Sequence, residues 1–192
     1  MGRATPPYKS VDVVGGVILV VGFSGKIKSG KTTVAEAVAS ELGIARASFG
    51  DYVRSIAFER GLDDSDRGIL QSIGESLIQS GWTEFCTAVL EAANWSAGDS
   101  IVVDGIRHQR AIATIKEIAT PQPFCLVHVE VADELRLERL GKESSELAKM
   151  DAHSTEFDVK NILRSMADKC VDSSRDVDEV VAEICDFVRN FN

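Results

Sequence analysis

Gly25-Lys26-Ile27-Lys28-Ser29-Gly30-Lys31-Thr32 has the form G-x-x-x-x-G-K-[ST]. Before it, Val17-Ile18-Leu19-Val20-Val21 is a short apolar, β-branched run that reads as a buried strand. After it, Val34, Ala35, Val38, Ala39 and Leu42 recur at helical spacing. Strand, glycine-rich turn and helix together give the motif its physical meaning. Glycines let successive backbone N–H groups converge on phosphate oxygens, and the helix N-terminus adds partial positive charge. The spacing predicts that Gly25, Lys28, Ser29, Gly30, Lys31, Thr32 and Thr33 surround the phosphates of a nucleoside triphosphate. Lys31 is then the cation that reaches the β- and γ-phosphates, and the Thr32 hydroxyl is a ligand for Mg²⁺.

The rest of the chain alternates strands with helices. Residues 45–49, 100–105, 124–131 and 169–171 read as further strands, and residues 51–60, 107–119, 133–140 and 177–188 as helices between and after them. Asp63-Asp64-Ser65-Asp66 is an acidic cluster suited to opening a helix that carries Ile69, Leu70, Ile73, Leu77 and Ile78. Residues 82–93 continue as another helix, and residues 159–166 return to helical spacing. This pattern predicts an α/β fold of three layers, a five-stranded, mostly parallel sheet covered by helices on both faces. Residues 1–15 read as a flexible tail and residues 16–192 as a single domain. Residues 50–98 hold more helix than a strand-to-strand crossover needs, and that mass lies near the sheet edge where ligands of open α/β folds bind. Residues 142–158 are polar and weakly periodic.

The composition narrows the classes of partner. The 192 residues carry a net charge of −9 with no dense basic tract, which disfavours nucleic acid or an anionic membrane as the partner. No stretch is long enough to cross a bilayer. Cys86, Cys125, Cys170 and Cys185 are scattered without a C-x-x-C pair, a pattern expected of reduced cysteines in a cytoplasmic protein. Oligomeric state is not legible in the pattern.

Four further sets of residues carry chemistry. Asp104 ends the apolar run Ile101-Val102-Val103, where a carboxylate can orient Mg²⁺ opposite Thr32; capping the next helix is the other role open to it. Arg107 follows on the same edge, as a phosphate contact or a surface residue. Asp51 and Arg54 stand one helical turn apart after the second strand, either as an acceptor-phosphate site or as a plain i,i+3 ion pair. Arg136 and Arg139 follow the fourth strand at helical spacing, as cations that neutralise transferred charge or as members of a Glu/Arg-laced helix. Gln71 is a hydrogen-bond contact for an acceptor or a residue of a solvated helix face, the commoner case for Gln. His108, His128 and His153 fit neither a triad nor a metal spacing, and a packed or surface role is expected for each.

On these residues the chain resembles the adenylate-kinase-like branch of P-loop nucleotide kinases, and within it archaeal dephospho-CoA-kinase-type sequences, over residues 16 to 190. Gly25 to Thr32 matches the phosphate loop, and Gly50-Asp51-x-x-Arg54 matches a segment whose arginine grips the acceptor phosphate. Asp104-Gly105-Ile106-Arg107 is similar to Asp-Gly-Phe-Pro-Arg but one residue shorter, and Arg136 and Arg139 match arginines entering a lid, here residues 142–158. That lid departs from the pattern, offering Lys142 and Lys149 in place of further arginines and no cysteine ligands. The resemblance implies a P-loop kinase fold with a helical acceptor-binding insertion and a short lid. The expected activity is ATP- and Mg²⁺-dependent transfer of a γ-phosphoryl group to a small nucleotide-like or coenzyme-precursor acceptor. The absence of an Asn-Lys-x-Asp guanine-reading motif favours ATP. Lys31, Asp104, Arg136 and Arg139 are the expected catalytic residues, and Asp51, Arg54, Gln71 and Arg107 the expected acceptor contacts. The alternative is a nucleotide-binding regulator or assembly factor with weak ATP hydrolysis.

Overall fold

A computed structural model describes residues 19–141 and 158–191. Five strands form one sheet in the order β2-β3-β1-β4-β5. They are β1 (Val20–Ser24), β2 (Ala45–Ser48), β3 (Ile101–Asp104), β4 (Phe124–Glu130) and β5 (Lys169–Asp172). Every neighbouring pair is parallel, so the sheet is wholly rather than mostly parallel. A parallel sheet is covered on both faces, which is why β1, β3 and nearly all of β4 are buried without a polar face. Alternation still decides which layer each side chain joins. Val20, Ile101, Val103 and Leu126 enter one core, while Val21, Phe23, Val102 and Val127 enter the other.

Among the described residues, eight α-helices dress the sheet. The layer behind β1 and β4 is built by α1 (Lys31–Leu42) and α8 (Val177–Arg189), which bury Val34, Val38, Val180 and Ile184. The opposite layer holds α2 (Phe49–Glu59), α3 (Arg67–Ser80), α4 (Trp82–Ala92) and α5 (Gln109–Ala119), around Phe49, Ile73, Phe85 and Ile112. The remaining helices are α6 (Asp133–Leu140) and the short α7 (Arg164–Met166), the latter entered through a π-helical turn at Asp158–Leu163. The three helices α2, α3 and α4 between β2 and β3 are the helical excess read at residues 50–98. Residues 142–157 of the expected lid and residues 1–15 of the expected tail lie outside the described residues. No helix among the described residues is long and apolar enough to cross a membrane.

Three boundaries differ from the sequence reading by two residues or more, each for a physical reason. The first strand runs over Val20–Ser24 and not residues 17–21, because Gly22 and Phe23 find ladder partners on both sides and Ser24 pairs with His128 on β4. Helix α2 begins at Phe49, two residues before the predicted start, because the Ser48 side chain accepts the Asp51 N–H as its cap. Helix α5 begins at Gln109, leaving Arg107 and His108 in an extended connection after β3.

Candidate functional site

The site is assembled at the C-terminal edge of the sheet, where β1 delivers the loop Gly25–Gly30 into α1. Gly30 caps α1 with a left-handed backbone (φ 81°) and supplies no side chain to the first N–H groups. Those donors are left to the space above the helix, which suits an anion. Gly25 is required by close approach, since a Cβ there would collide with the Val129 carbonyl and sit 2.8 Å from Ser29 Oγ. Ser29 is buried, and its hydroxyl is the one buried side-chain polar atom among the described residues with no hydrogen-bond partner. An orphaned donor inside a glycine-edged loop fits phosphate oxygens. Lys28 occupies the left-handed region (φ 64°) with its side chain exposed, and Thr33 is exposed on the first turn of α1.

Asp104 ends β3 beside this loop and is 1% exposed. Its Oδ1 accepts the Lys31 ammonium, and its Oδ2 accepts the Thr32 hydroxyl at 2.9 Å. The carboxylate therefore joins the two loop residues expected at the phosphates and the metal. Thr32 Oγ1 and Asp104 Oδ2 are hard oxygen donors suited to Mg²⁺. Burial pushes the Lys31 pKa below its ordinary value, and the neighbouring Asp104 offsets part of that shift. Lys31 is thus a desolvated cation held in place by one carboxylate.

Arg46, on β2, was not legible as a site residue. Its Nη1 lies 3.4 Å from Asp104 Oδ2, and its Nη2 lies 2.8 Å from Asp51 Oδ2 and 3.0 Å from Glu36 Oε1. The one available signal was a charge inside the small, otherwise uncharged strand Ala45-Arg46-Ala47-Ser48. On α2, Arg54 Nη1 donates to Asp51 Oδ1 at 2.9 Å, and both side chains are half-exposed. The i,i+3 pair and the acceptor-site position are thus the same two residues. Arg107 is half-buried after β3, and burial, with the Arg67 charge nearby, pushes its pKa down to about 10. Gln71 is half-buried on α3.

The two arginines of α6 divide in role. Arg136 is completely buried, its Nε donating to the Ile27 carbonyl at 2.9 Å and its Nη1 to Asp133 at 2.7 Å. Through the Ile27 carbonyl it braces the glycine-rich loop against α6. Lys26 closes the same corner, 3.2 Å from Asp133. Arg139 donates to the Lys28 carbonyl at 3.4 Å, and to the Ser173 carbonyl at 2.9 Å. Ser173, which follows β5, donates its hydroxyl to the Ser29 carbonyl. Ser173 too was missed by the sequence reading, because only the fold brings its loop against residues 28–30. Arg136→Met should remove a charge-assisted hydrogen bond from the Ile27 carbonyl, at about 1.5–3 kcal/mol. The expected result is a lower melting temperature together with weaker ATP binding, read by calorimetry.

Two histidines are packed as expected. His128 is buried with its Nδ1 2.9 Å from Ser24 Oγ, and His108 stacks edge-on against Trp82 with ring centres 5.2 Å apart. His153 lies outside the described residues.

Residues 21–178 match the family described as an AAA domain. A UPF0200 protein of Methanothrix thermoacetophila is 36% identical over 124 residues, 63% of this chain and 64% of the relative. A UPF0200/UPF0201 protein of Archaeoglobus fulgidus is 30% identical over 175 residues, 86% of this chain and 53% of the relative. The chain therefore spans under two thirds of the length of either curated relative. The shikimate kinase of Acinetobacter baumannii, solved in complex with shikimate, is similar with a TM-score of 0.56 at 15% identity, over 93% of this chain and 97% of that one. At that identity the likeness is one of fold.

Proposed function

The chain belongs to the AAA-domain family, with the fold of a P-loop kinase, and given that membership we propose that it is an ATP- and Mg²⁺-dependent small-molecule kinase. The observation that carries this reading is the contact of Lys31 and Thr32 with the buried Asp104 at the foot of the glycine-rich loop. Bound Mg²⁺-ATP would supply the phosphoryl group. Lys31, the Ser29 hydroxyl and the first N–H groups of α1 would hold its phosphates, and Thr32 and Asp104 its metal. Arg139 ties the loop to the segment after β5.

Arg54 stands on the α2 side of the same edge, where a phosphate-bearing acceptor would exchange places with Asp51 as its partner. A phosphate oxygen is largely ionised at neutral pH, with a second pKa of about 6. Such an acceptor needs no general base, and the carboxylate deepest in the site, Asp104, is already engaged by Lys31, Thr32 and Arg46. A nucleotide-like or coenzyme-precursor monophosphate is the acceptor class this favours. Arg107 and Gln71 border the same insertion as further contacts. That a solved kinase of this fold holds shikimate supports a small-molecule acceptor.

The test is incubation with Mg²⁺-ATP and a panel of nucleoside monophosphates, nucleosides and coenzyme precursors, measuring ADP and phosphorylated product. Product from one acceptor class supports the kinase reading. ADP release that no acceptor stimulates would instead favour a nucleotide-binding regulator with weak hydrolysis. With the acceptor found, Arg54→Ala should raise its KM about 10- to 100-fold, the scale of a charge-assisted hydrogen bond, while ATP affinity stays unchanged. Weakened ATP binding in this variant would move Arg54 to the nucleotide side.

A further inference from the structure

Five side chains from four elements form one line of alternating charge: Lys31 on α1, Asp104 on β3, Arg46 on β2, and Asp51 and Arg54 on α2. Arg46 is its centre. One guanidinium spans the buried Asp104 at 3.4 Å and the half-exposed Asp51 at 2.8 Å, with Glu36 at 3.0 Å on the same Nη2. About a fifth of the Arg46 side chain is exposed, so this link is shielded while the outer pair at Asp51 and Arg54 is open to water. A forked, planar cation aims separate donors at two carboxylates in fixed directions, whereas an ammonium is a compact point charge on a flexible stem.

We propose that Arg46 is a positioning residue that links occupancy of the nucleotide loop to the availability of Arg54 for the acceptor. The proposal rests on the kinase reading above and deepens it. Three carboxylates, Asp104, Asp51 and Glu36, share Arg46, and two guanidiniums, Arg46 and Arg54, share Asp51. With the loop empty, Arg46 divides its charge between Asp104 and the Asp51–Glu36 pair, and Asp51 keeps a grip on Arg54. When nucleotide and metal engage Lys31 and Asp104, the Asp104 charge is taken up and Arg46 turns its full charge to Asp51 and Glu36. Asp51 then holds Arg54 less firmly, and Arg54 is released toward an incoming anion. The second substrate's anchor is thereby freed after the first has bound. No covalent step is involved.

The experiment needs no identified acceptor. The intact protein is treated with phenylglyoxal, with and without Mg²⁺-ATP, and modification at Arg54 is followed by peptide mass spectrometry. Calorimetry on the same samples reports ATP binding. Mg²⁺-ATP should raise Arg54 reactivity about two- to five-fold, the range set by the modest strength of an exposed ion pair. In Arg46→Gln the rise should vanish, with Arg54 no more reactive than in the free wild-type protein. In Arg46→Lys it should also vanish, because charge alone does not span both carboxylates. Thermal unfolding of both variants confirms that folded protein is compared.

The outcomes separate cleanly. If ATP does not bind the wild-type protein, the nucleotide-loop reading fails. If ATP binds and the reactivity rise persists in folded Arg46→Gln, the kinase reading stands and the link through Arg46 is overturned. Full rescue by Arg46→Lys would likewise overturn the spanning role.

Discussion

Asp104→Asn should lower phosphoryl-transfer turnover by about 10²-fold or more, the scale of losing one preorganised electrostatic group. The same substitution should also weaken the fold, because Asp104 carries two duties. Beyond its metal-facing oxygen, it is the carboxylate that compensates the buried Lys31 ammonium. Removing one partner of a buried ion pair costs about 3–5 kcal/mol. The lower end is expected here, since Asn keeps an acceptor for the Thr32 hydroxyl.

A pH signature follows from the direction of the Lys31 shift. Its folded-state pKa lies below the unfolded value of 10.5, because burial lowers it more than Asp104 raises it. The folded state therefore binds fewer protons than the unfolded one between those two pKa values, and stability from this group rises with pH across that window. Without the Asp104 carboxylate the folded pKa falls further, and the window extends to lower pH. The melting-temperature gap between wild type and Asp104→Asn should be widest near neutrality and narrow as pH rises toward 10. A gap that stays constant would show that the lost stability has another origin than the Lys31 charge.

Lys31→Ala should weaken ATP binding about 10- to 100-fold, as expected for loss of a hydrogen bond between charged groups. Its effect on stability should be smaller than that of Asp104→Asn. The reason is an asymmetry in what remains. Without Lys31, Asp104 retains the Thr32 hydroxyl at 2.9 Å and the Arg46 guanidinium at 3.4 Å. Without Asp104, Lys31 keeps only the Thr32 hydroxyl, at 3.5 Å, as a side-chain hydrogen-bond partner among the described residues. Calorimetric titration with Mg²⁺-ATP and thermal unfolding of the two variants side by side would check both expectations. Equal ATP affinity in wild type and Lys31→Ala would remove the glycine-rich loop as the nucleotide site.

The legible parts of this molecule are those whose meaning is local. The loop carries its chemistry in eight consecutive residues, and Asp104 could be placed because an acid ending an apolar run is already a sheet-edge position. Periodicity assigned the helices for the same reason: each apolar stripe is set by neighbours a few residues away. Arg46 was illegible because its function depends on β2 lying against β3, with Arg46 opposite Val102 and Ser48 opposite Asp104. Nothing within residues 45–48 announces a carboxylate 58 positions later. The bracing of the loop by Arg136 was illegible for the same non-local reason, since the Ile27 carbonyl that accepts its Nε–H lies 109 positions earlier. The first strand was placed three residues early because apolar character alone was counted. Gly22 and Ser24 join the ladder through backbone groups, whatever their side chains.

The strand order has a consequence for how the chain comes into being. β1 leaves the ribosome first, yet it lies between β3 and β4, whose partnering residues Ile101 and Phe124 follow Val20 by roughly 80 and 100 positions. At roughly 5–20 residues per second of synthesis, the strand bearing the nucleotide loop waits several seconds with both hydrogen-bonding edges bare. Val20, Val21 and Phe23 are exposed over that interval, and α1, which can coil on its own, is the earliest element able to shelter Val21 and Phe23. The central strand of the sheet is thus, of the five described strands, the one that stands longest without its partners. Chaperone engagement during translation should concentrate on the first quarter of the sequence and end once β4 has emerged.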